Sequence, residues 1–411
     1  MQVMYARCAG LDVHKKTVVA CVLVTVGPEV GKETRTFGTT TPDLLELLDW
    51  LRSQEVTHLA MESTGSFWVP IYQVLEGQLE MLVVNAHHLK AVPGRKTDVT
   101  DAEWIAECLR HGLLRASFVP PKPQRELRTL TRHRSNQVER RAQLVNEIHK
   151  LLEQTNIKLG GVATDILGVW GRAMLEALLG EQKDPKLLAD LAKGRLRSKR
   201  PELEKALQGK VQAHHRLVLA QLLTDIDLLD EQIAELDREI ARRVVPYQEQ
   251  IELLDGIPGI NQRVAEVIVA EVGTDMSRFP SAKHLASWAG LCPGNNQSGG
   301  RRRSGKTRKG NRYLRTTLVE SAQGAARKKD SYPKALFHRL AGKRGKKRAI
   351  VAVAHSTLET AYYVLSRHQP YRDLGGNYFD QRNPAVVLRR LLKRIENLGY
   401  QVTLVPLEKA A

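Results

Sequence analysis

Residues 6–25 hold two runs of β-branched and small apolar residues on either side of a polar turn, His14 to Lys16. This pattern predicts two paired strands, with Asp12 near the end of the first. A third short strand is expected near Thr34 to Phe37. The stretch TPDLLELLDWLRS has helical periodicity, with Thr41 available as a cap and Pro42 in the first helical position. After it the pattern alternates. THLAMES reads as a short strand ending at Glu62, SFWVPIYQVLE as a helix, EMLVVNA as a buried strand, and Asp98 opens a further helix. Three strands followed by alternating helix and strand predict a mixed sheet with helices on its faces, an α/β domain over residues 1–120.

The pattern changes near Pro120. Gln124 to Asn156 repeats Leu127, Leu130, Leu144, Ile148 and Leu151 at helical spacing. Leu219, Leu222, Ile226, Leu229, Ile233, Leu236 and Ile240 alternate steps of three and four, a heptad seam. Residues 121–247 therefore read as an all-α region, and an antiparallel helical hairpin or a dimerising coiled coil both fit it. The glycines and the basic KGRLRSKRP segment between the two stretches suggest shorter helices that reverse the chain. Residues 248–370 read as a mostly helical domain, with a helix-hairpin-helix-like turn at Gly256 to Gly259 whose backbone N–H groups suit a phosphate. Residues 371–411 form a tail with a turn-rich segment and a short helix, VVLRRLLKRIENLG, and no role is legible in them.

Charge adds a partner to this outline. Lysine and arginine number 63 against 45 acids, a net +18, which points to nucleic acid before an acidic small molecule. The densest cluster follows NNQSGG: Arg301, Arg302, Arg303, Lys306, Arg308, Lys309, Arg312 and Arg315 run without an acid among them. Phosphates are the natural counterions of such a glycine-rich loop. Four well-separated cysteines form no CxxC pair, so a reducing, cytoplasmic setting is expected. The sequence has no apolar run of membrane-spanning length, and no membrane partner is expected.

Candidate chemistry comes from acids at the ends of predicted strands. Asp98 and Asp101 project from one face of a helix's first turn, and Asp12 and Glu62 end strands that can be neighbours. Four converging carboxylates repel one another unless divalent cations neutralise them, and Mg2+ is the hard, oxygen-seeking candidate.

Taken together, GLDVHKKTVVA, MESTG, GRKTDVTDAEWIA, the GIPGI turn and WAGLCPGNNQSGGRRRSGKTRKGNRYLR resemble the DEDD transposases of the insertion-sequence 110 family. The resemblance implies an RNase H/RuvC-like N-terminal domain in which Asp12, Glu62, Asp98 and Asp101 bind two Mg2+ ions, with Mn2+ able to substitute. It further implies a catalytic serine that matches Ser298, with Ser304 in the same loop as the fallback, and nucleic-acid contacts through Lys96, Gly256, Gly259 and the arginine cluster. The implied activity is excision and insertion of the chain's own element in a prokaryotic nucleoid. The implied partners are DNA, a structured guide RNA from the element, and further copies of the chain in a homodimer or homotetramer joined by the coiled-coil region. Two other readings compete: a metal-dependent nuclease or junction resolvase that uses water, and a non-catalytic nucleic-acid scaffold.

Overall fold

The computed structural model describes residues 2–90, 92–93, 100–294 and 296–404, which divide into two compact units, Met1–Pro120 and Pro121–Ala411. In the first unit, β1 (Arg7–Val13), β2 (Thr17–Val26) and β3 (Glu29–Gly38) are followed by α1 (Thr41–Ser53), β4 (His58–Glu62), α2 (Trp68–Leu75), β5 (Glu80–Val84), α3 (Ala86–Leu89) and α4 (Asp101–Arg110). The sheet order is β3-β2-β1-β4-β5, antiparallel among the first three strands and parallel from β1 through β4 to β5. The third strand is longer than Thr34 to Phe37 because its polar residues pair with β2 along its whole length. Thr40, not Thr41, caps α1, with its N–H and hydroxyl both donating to Asp43 Oδ2.

Alternation along β1 sends Ala9, Leu11 and Val13 into a core shared with α1 and α2, while Cys8 belongs to the core of the opposite face with α4. On α4, Ala102, Ile105, Ala106 and Leu109 form the buried stripe. Gly10 lets this helix lie directly on the sheet. A Cβ there would collide with the Ala102 carbonyl and the Ala106 backbone nitrogen. The helix runs antiparallel to β1, since Met4 N donates to Arg110 O at 2.8 Å at its far end. The helix expected to open at Asp98 begins, among the described residues, at Asp101, and Thr100 Oγ1 caps it by accepting from Glu103 N.

Among the described residues, the second unit is helical but for one hairpin. Its two longest helices, α5 (Lys122–Gln154) and α10 (Ala213–Val244), flank α6 (Leu159–Val162), α7 (Val169–Leu179), α8 (Pro185–Asp190) and α9 (Arg200–Ala206). Arg134 pairs with Asp237 and Arg141 with Asp230, so α5 and α10 run antiparallel within one chain. This selects the helical hairpin for one face of the heptad seam: Leu219, Leu222, Ile226 and Ile240 are buried, and Leu229, Ile233 and Leu236 are half-buried. Beyond them lie α11 (Gln248–Asp255), α12 (Gln262–Val272), α13 (Ala282–Trp288), β6 (Asn296–Ser298), β7 (Arg301–Ser304), α14 (Arg312–Ala325), α15 (Tyr332–Arg344), α16 (Lys346–Arg367), α17 (Tyr378–Gln381) and α18 (Pro384–Glu396).

One buried carboxylate ties three of these helices together. Glu271, 0% exposed near the C-terminus of α12, receives Arg132 Nε at 2.6 Å and Arg132 Nη2 at 2.8 Å, with Arg128 Nε at 3.2 Å. Arg128 and Gln124 also donate to the Ala270 carbonyl, supplying partners that the end of a helix lacks. Burial pulls the Arg128 guanidinium down to about 10, against the opposing pull of Glu271. Asn311 Nδ2 donates to Glu271 Oε2, while Asn311 Oδ1 caps α14 by accepting from Leu314 N at 3.0 Å. The start of α14 is thereby fixed to α5 and α12.

Two substitutions and one control test these constraints by urea denaturation followed by circular dichroism. Gly10→Ala should lower the midpoint of the first unit at an overpacking cost of about 1–3 kcal/mol, whereas Gly161→Ala, where a Cβ meets nothing within 4 Å, should not lower the midpoint. Glu271→Gln leaves the largely buried Arg128 and the partly exposed Arg132 without their anion and should cost roughly 3–5 kcal/mol.

Candidate nucleic-acid site

Asp12 lies on the α4 face of β1, two residues beyond Gly10. Leu11 and Met61 are the last registered pair of β1 with β4, so Asp12 and Glu62 each follow by one residue on adjacent parallel strands, at a spacing of about 4.8 Å. Asp101 opens α4 at that same end, because the first turn of α4 rests on Gly10 and the helix runs back along β1. Three of the four expected acids therefore come to one end of one sheet face. The fourth, Asp98, lies outside the described residues, as does Lys96.

Local partners orient two of these acids. Asp12 Oδ2 is 3.1 Å from His14 Nε2, and Glu62 Oε1 accepts from Thr64 Oγ1 at 2.6 Å. No lysine or arginine forms an ion pair with Asp12 or Glu62 among the described residues. Among the described residues, no three histidine, cysteine or acidic side chains already stand close enough to hold one ion. The donor chemistry itself, carboxylate oxygens on neighbouring strand ends and a helix start, fits a hard divalent cation. The sequence reading missed His14 and Thr64 as partners. Their position two residues after each acid was the available signal.

The second centre is a β-hairpin where a loop was expected. Ser298 ends β6 and pairs with Arg301 of β7 across Gly299 and Gly300, whose φ values of +54° and +73° form the two-residue turn that glycine favours. The strands are three and four residues long and polar throughout, so hydrophobic alternation could not reveal them. The Gly-Gly pair between polar runs was the readable sign. Ser298 and Arg301 are exposed, and Ser298 Oγ has no hydrogen-bond partner among the described residues. Ser304 Oγ accepts from Lys306 N at 3.1 Å. Of Arg302 and Arg303 only the backbone is described, and it continues β7.

The stem is closed by backbone contact. A Cβ on Gly290 would be 2.9 Å from Gly310 N, and Pro293 bridges Thr307. Behind the stem, Cys292 Sγ lies 3.7 Å from His355 Nδ1, and His355 Nε2 lies 3.4 Å from Glu359 Oε1. Burial raises the Cys292 thiol, which suits a clamp on α16 rather than an activated nucleophile. Lys306, Arg308 and Lys309 are exposed, and Arg312 reaches Glu139 of α5 at 3.1 Å. Lys309, Arg312 and Arg315 line a shallow concavity of about 620 Å³ beside the hairpin base.

At the α11–α12 turn, Ile257 N donates back to Leu254 O of α11, Ile260 N to Ile257 O within the turn, and Val264 N to Asn261 Oδ1. Fewer donors are thus left for a phosphate than the Gly256 to Gly259 pattern suggests. The left-handed φ of +86° at Gly259 and its close fit to α14, where a Cβ would meet Ala325 at 2.9 Å, explain that glycine by packing.

Comparison with known proteins joins the two centres. Residues 9–157 match a family model for IS110 transposases, and residues 251–338 match the model of the IS116/IS110/IS902 transposase family. The chain is 27% identical over 334 residues to a protein of Pseudomonas aeruginosa named "Probable family 20 transposase", covering 80% of this chain and 89% of that one. It is 28% identical over 334 residues to the transposase for insertion sequence element IS1111A of Coxiella burnetii, with 78% and 80% covered. A pilin gene-inverting protein of Moraxella bovis is 25% identical over 375 residues, with 88% and 96% covered. With both centres lying inside matched segments that together span more than half of the sequence, the chain belongs to the IS110 family of transposases.

Proposed function

We propose that this DNA transposase excises and inserts its own insertion sequence through a divalent-metal carboxylate site and a serine nucleophile, guided by an RNA encoded in the element. The observation that carries the metal half is the seating of α4 on Gly10, which brings Asp101 to the strand ends that bear Asp12 and Glu62. The sheet order β3-β2-β1-β4-β5, with three antiparallel strands leading into two parallel steps, supports an RNase H/RuvC-like reading of the first unit. Asp12, Glu62, Asp98 and Asp101 would hold Mg2+. When bound, the metal supplies charge neutralisation at the scissile phosphate and favours an oxygen nucleophile.

The chain's own residues provide the rest. Ser298 immediately precedes the Gly299–Gly300 turn, exposed, free of local hydrogen bonds among the described residues and paired with Arg301. In the proposed step, Ser298 Oγ bonds to phosphorus while the bond from phosphorus to a deoxyribose oxygen breaks. The serine proton passes to solvent, and the displaced oxygen takes one up. One phosphodiester replaces another, so the phosphoserine linkage keeps the bond energy needed for rejoining. Arg301, Lys306 and Arg308 hold the flanking phosphates in line. Assembly as a homodimer or homotetramer, in which the serine of one subunit serves the carboxylates of another, completes the proposal. The half-buried Leu229, Ile233 and Leu236 of α10 support a helical contact between copies.

Asp12→Asn and Asp101→Asn should retain the thermal melt of the wild type and lose recombination by about 10²-fold or more, the scale on which one electrostatic stabiliser acts. Chelation of divalent metal should do the same, and wild-type recombination by either variant would remove the metal assignment. Neutralising Arg301, Lys306 and Arg308 together should flatten the salt dependence of duplex binding by up to about 3 in log–log slope, at roughly 0.9 per phosphate contact. An unchanged slope would place the binding surface elsewhere.

A further inference from the structure

The tail beyond α16 builds a site of its own. Asp373 Oδ1 accepts from Tyr332 N and from Gly375 N, each at 2.8 Å, and so straps residues 371–377 to the start of α15. Gly376 completes the strap by close approach, since a Cβ there would lie 3.2 Å from Asp330 Cα. Tyr332 then packs on Tyr378 and Phe379, with ring centroids 5.2 and 5.5 Å apart. These contacts hold α17 and the start of α18 opposite α15 and leave a groove of about 1130 Å³ between them.

Its lining is cationic and aromatic. Lys334, His338, Arg339 and Lys343 recur along one face of α15, Arg390 faces them from α18, and Phe379 lies between. Among the described residues, two acids, Asp330 and Asp380, line the same groove. Lys334, Arg339, Lys343 and Arg390 form no ion pair among the described residues. The Arg339 guanidinium lies over the Phe379 ring, with its Cζ 4.4 Å from the centroid. A guanidinium over an aromatic ring is a cation–π pair against which a base can stack, and the surrounding ammonium and guanidinium groups match a phosphate chain.

We propose that this groove binds a single strand of DNA, with phosphates on Lys334, Lys343 and Arg390 and a base against the Arg339–Phe379 pair. A duplex would offer phosphates but no free base face, because its bases are stacked on one another, so the platform favours an unpaired strand. DNA is the nucleic acid on which a transposase acts. The proposal rests on that family membership and uses neither Ser298 nor the carboxylates.

The test titrates the full-length protein into fluorescein-labelled oligothymidylate over a range of KCl concentrations, with oligouridylate and a blunt duplex measured alongside. Binding is read without strand cleavage, so the result does not depend on the catalytic proposal. The triple variant Lys334→Ala, Lys343→Ala and Arg390→Ala should flatten the log–log salt slope for the single strand by about 2, at roughly 0.7 per contact. Phe379→Leu, which keeps an apolar side chain, should weaken single-strand binding by roughly five- to a hundredfold with little effect on the duplex. Thermal melts establish that both variants are folded. An unchanged slope and affinity would overturn the proposal. So would an equal loss on the duplex, which would mean backbone contact alone, or a loss confined to oligouridylate, which would assign the groove to RNA.

Discussion

The missing side chain at Gly10 is the constraint on which the carboxylate-bearing end of the first unit depends. Backbone of α4 occupies the space that any Cβ would need, so the helix rests on the strand itself and its register along β1 is fixed. That register decides where Asp101 falls. Adjacent parallel pairing of β1 and β4 independently brings Asp12 and Glu62 to neighbouring positions at the same end. Two backbone-level contacts, one of helix on strand and one of strand on strand, therefore concentrate negative charge where side-chain packing contributes little. Charge so placed is costly without a cation, and that is the physical basis of the metal reading.

The second unit solves a different problem, which is to present an exposed and highly basic hairpin from a firm base. Glu271 does this from the interior. Its carboxylate is shared by Arg132, Arg128 and Asn311, and Asn311 is both the cap of α14 and the residue that follows the Gly290–Gly310 closure of the stem. A buried anion near a helix C-terminus is unfavourable on its own, and two arginines and an amide offset it. The outcome is a stem whose position is set by the core while its tip, Ser298 to Arg301, stays in solvent.

Much of the first unit was legible because its signals are local. Apolar runs of strand length, a helical stripe after them and acids at strand ends can all be read along the chain. The antiparallel hairpin of α5 and α10 was legible as two helices, and the choice between hairpin and coiled coil was not, because Arg134–Asp237 and Arg141–Asp230 join residues about a hundred positions apart. The hairpin strands β6 and β7 escaped for lack of apolar alternation. Glu271 is one acid among many in the sequence, and only its 0% exposure beside two arginines reveals its part. The tail groove depends on Asp373 folding back to Tyr332, a pairing with no signature in the local pattern.

In the proposed reaction a serine on the hairpin, rather than water, attacks the DNA. The direct measurement incubates purified protein with magnesium, DNA carrying the element junction, and RNA transcribed from the flanking non-coding end, followed by denaturation and a search for protein–DNA adducts. An adduct is expected in the wild type and in Ser304→Ala and none in Ser298→Ala. Cleaved DNA without an adduct in the wild type would contradict it, placing water at the carboxylate site and making the chain a nuclease in its first step.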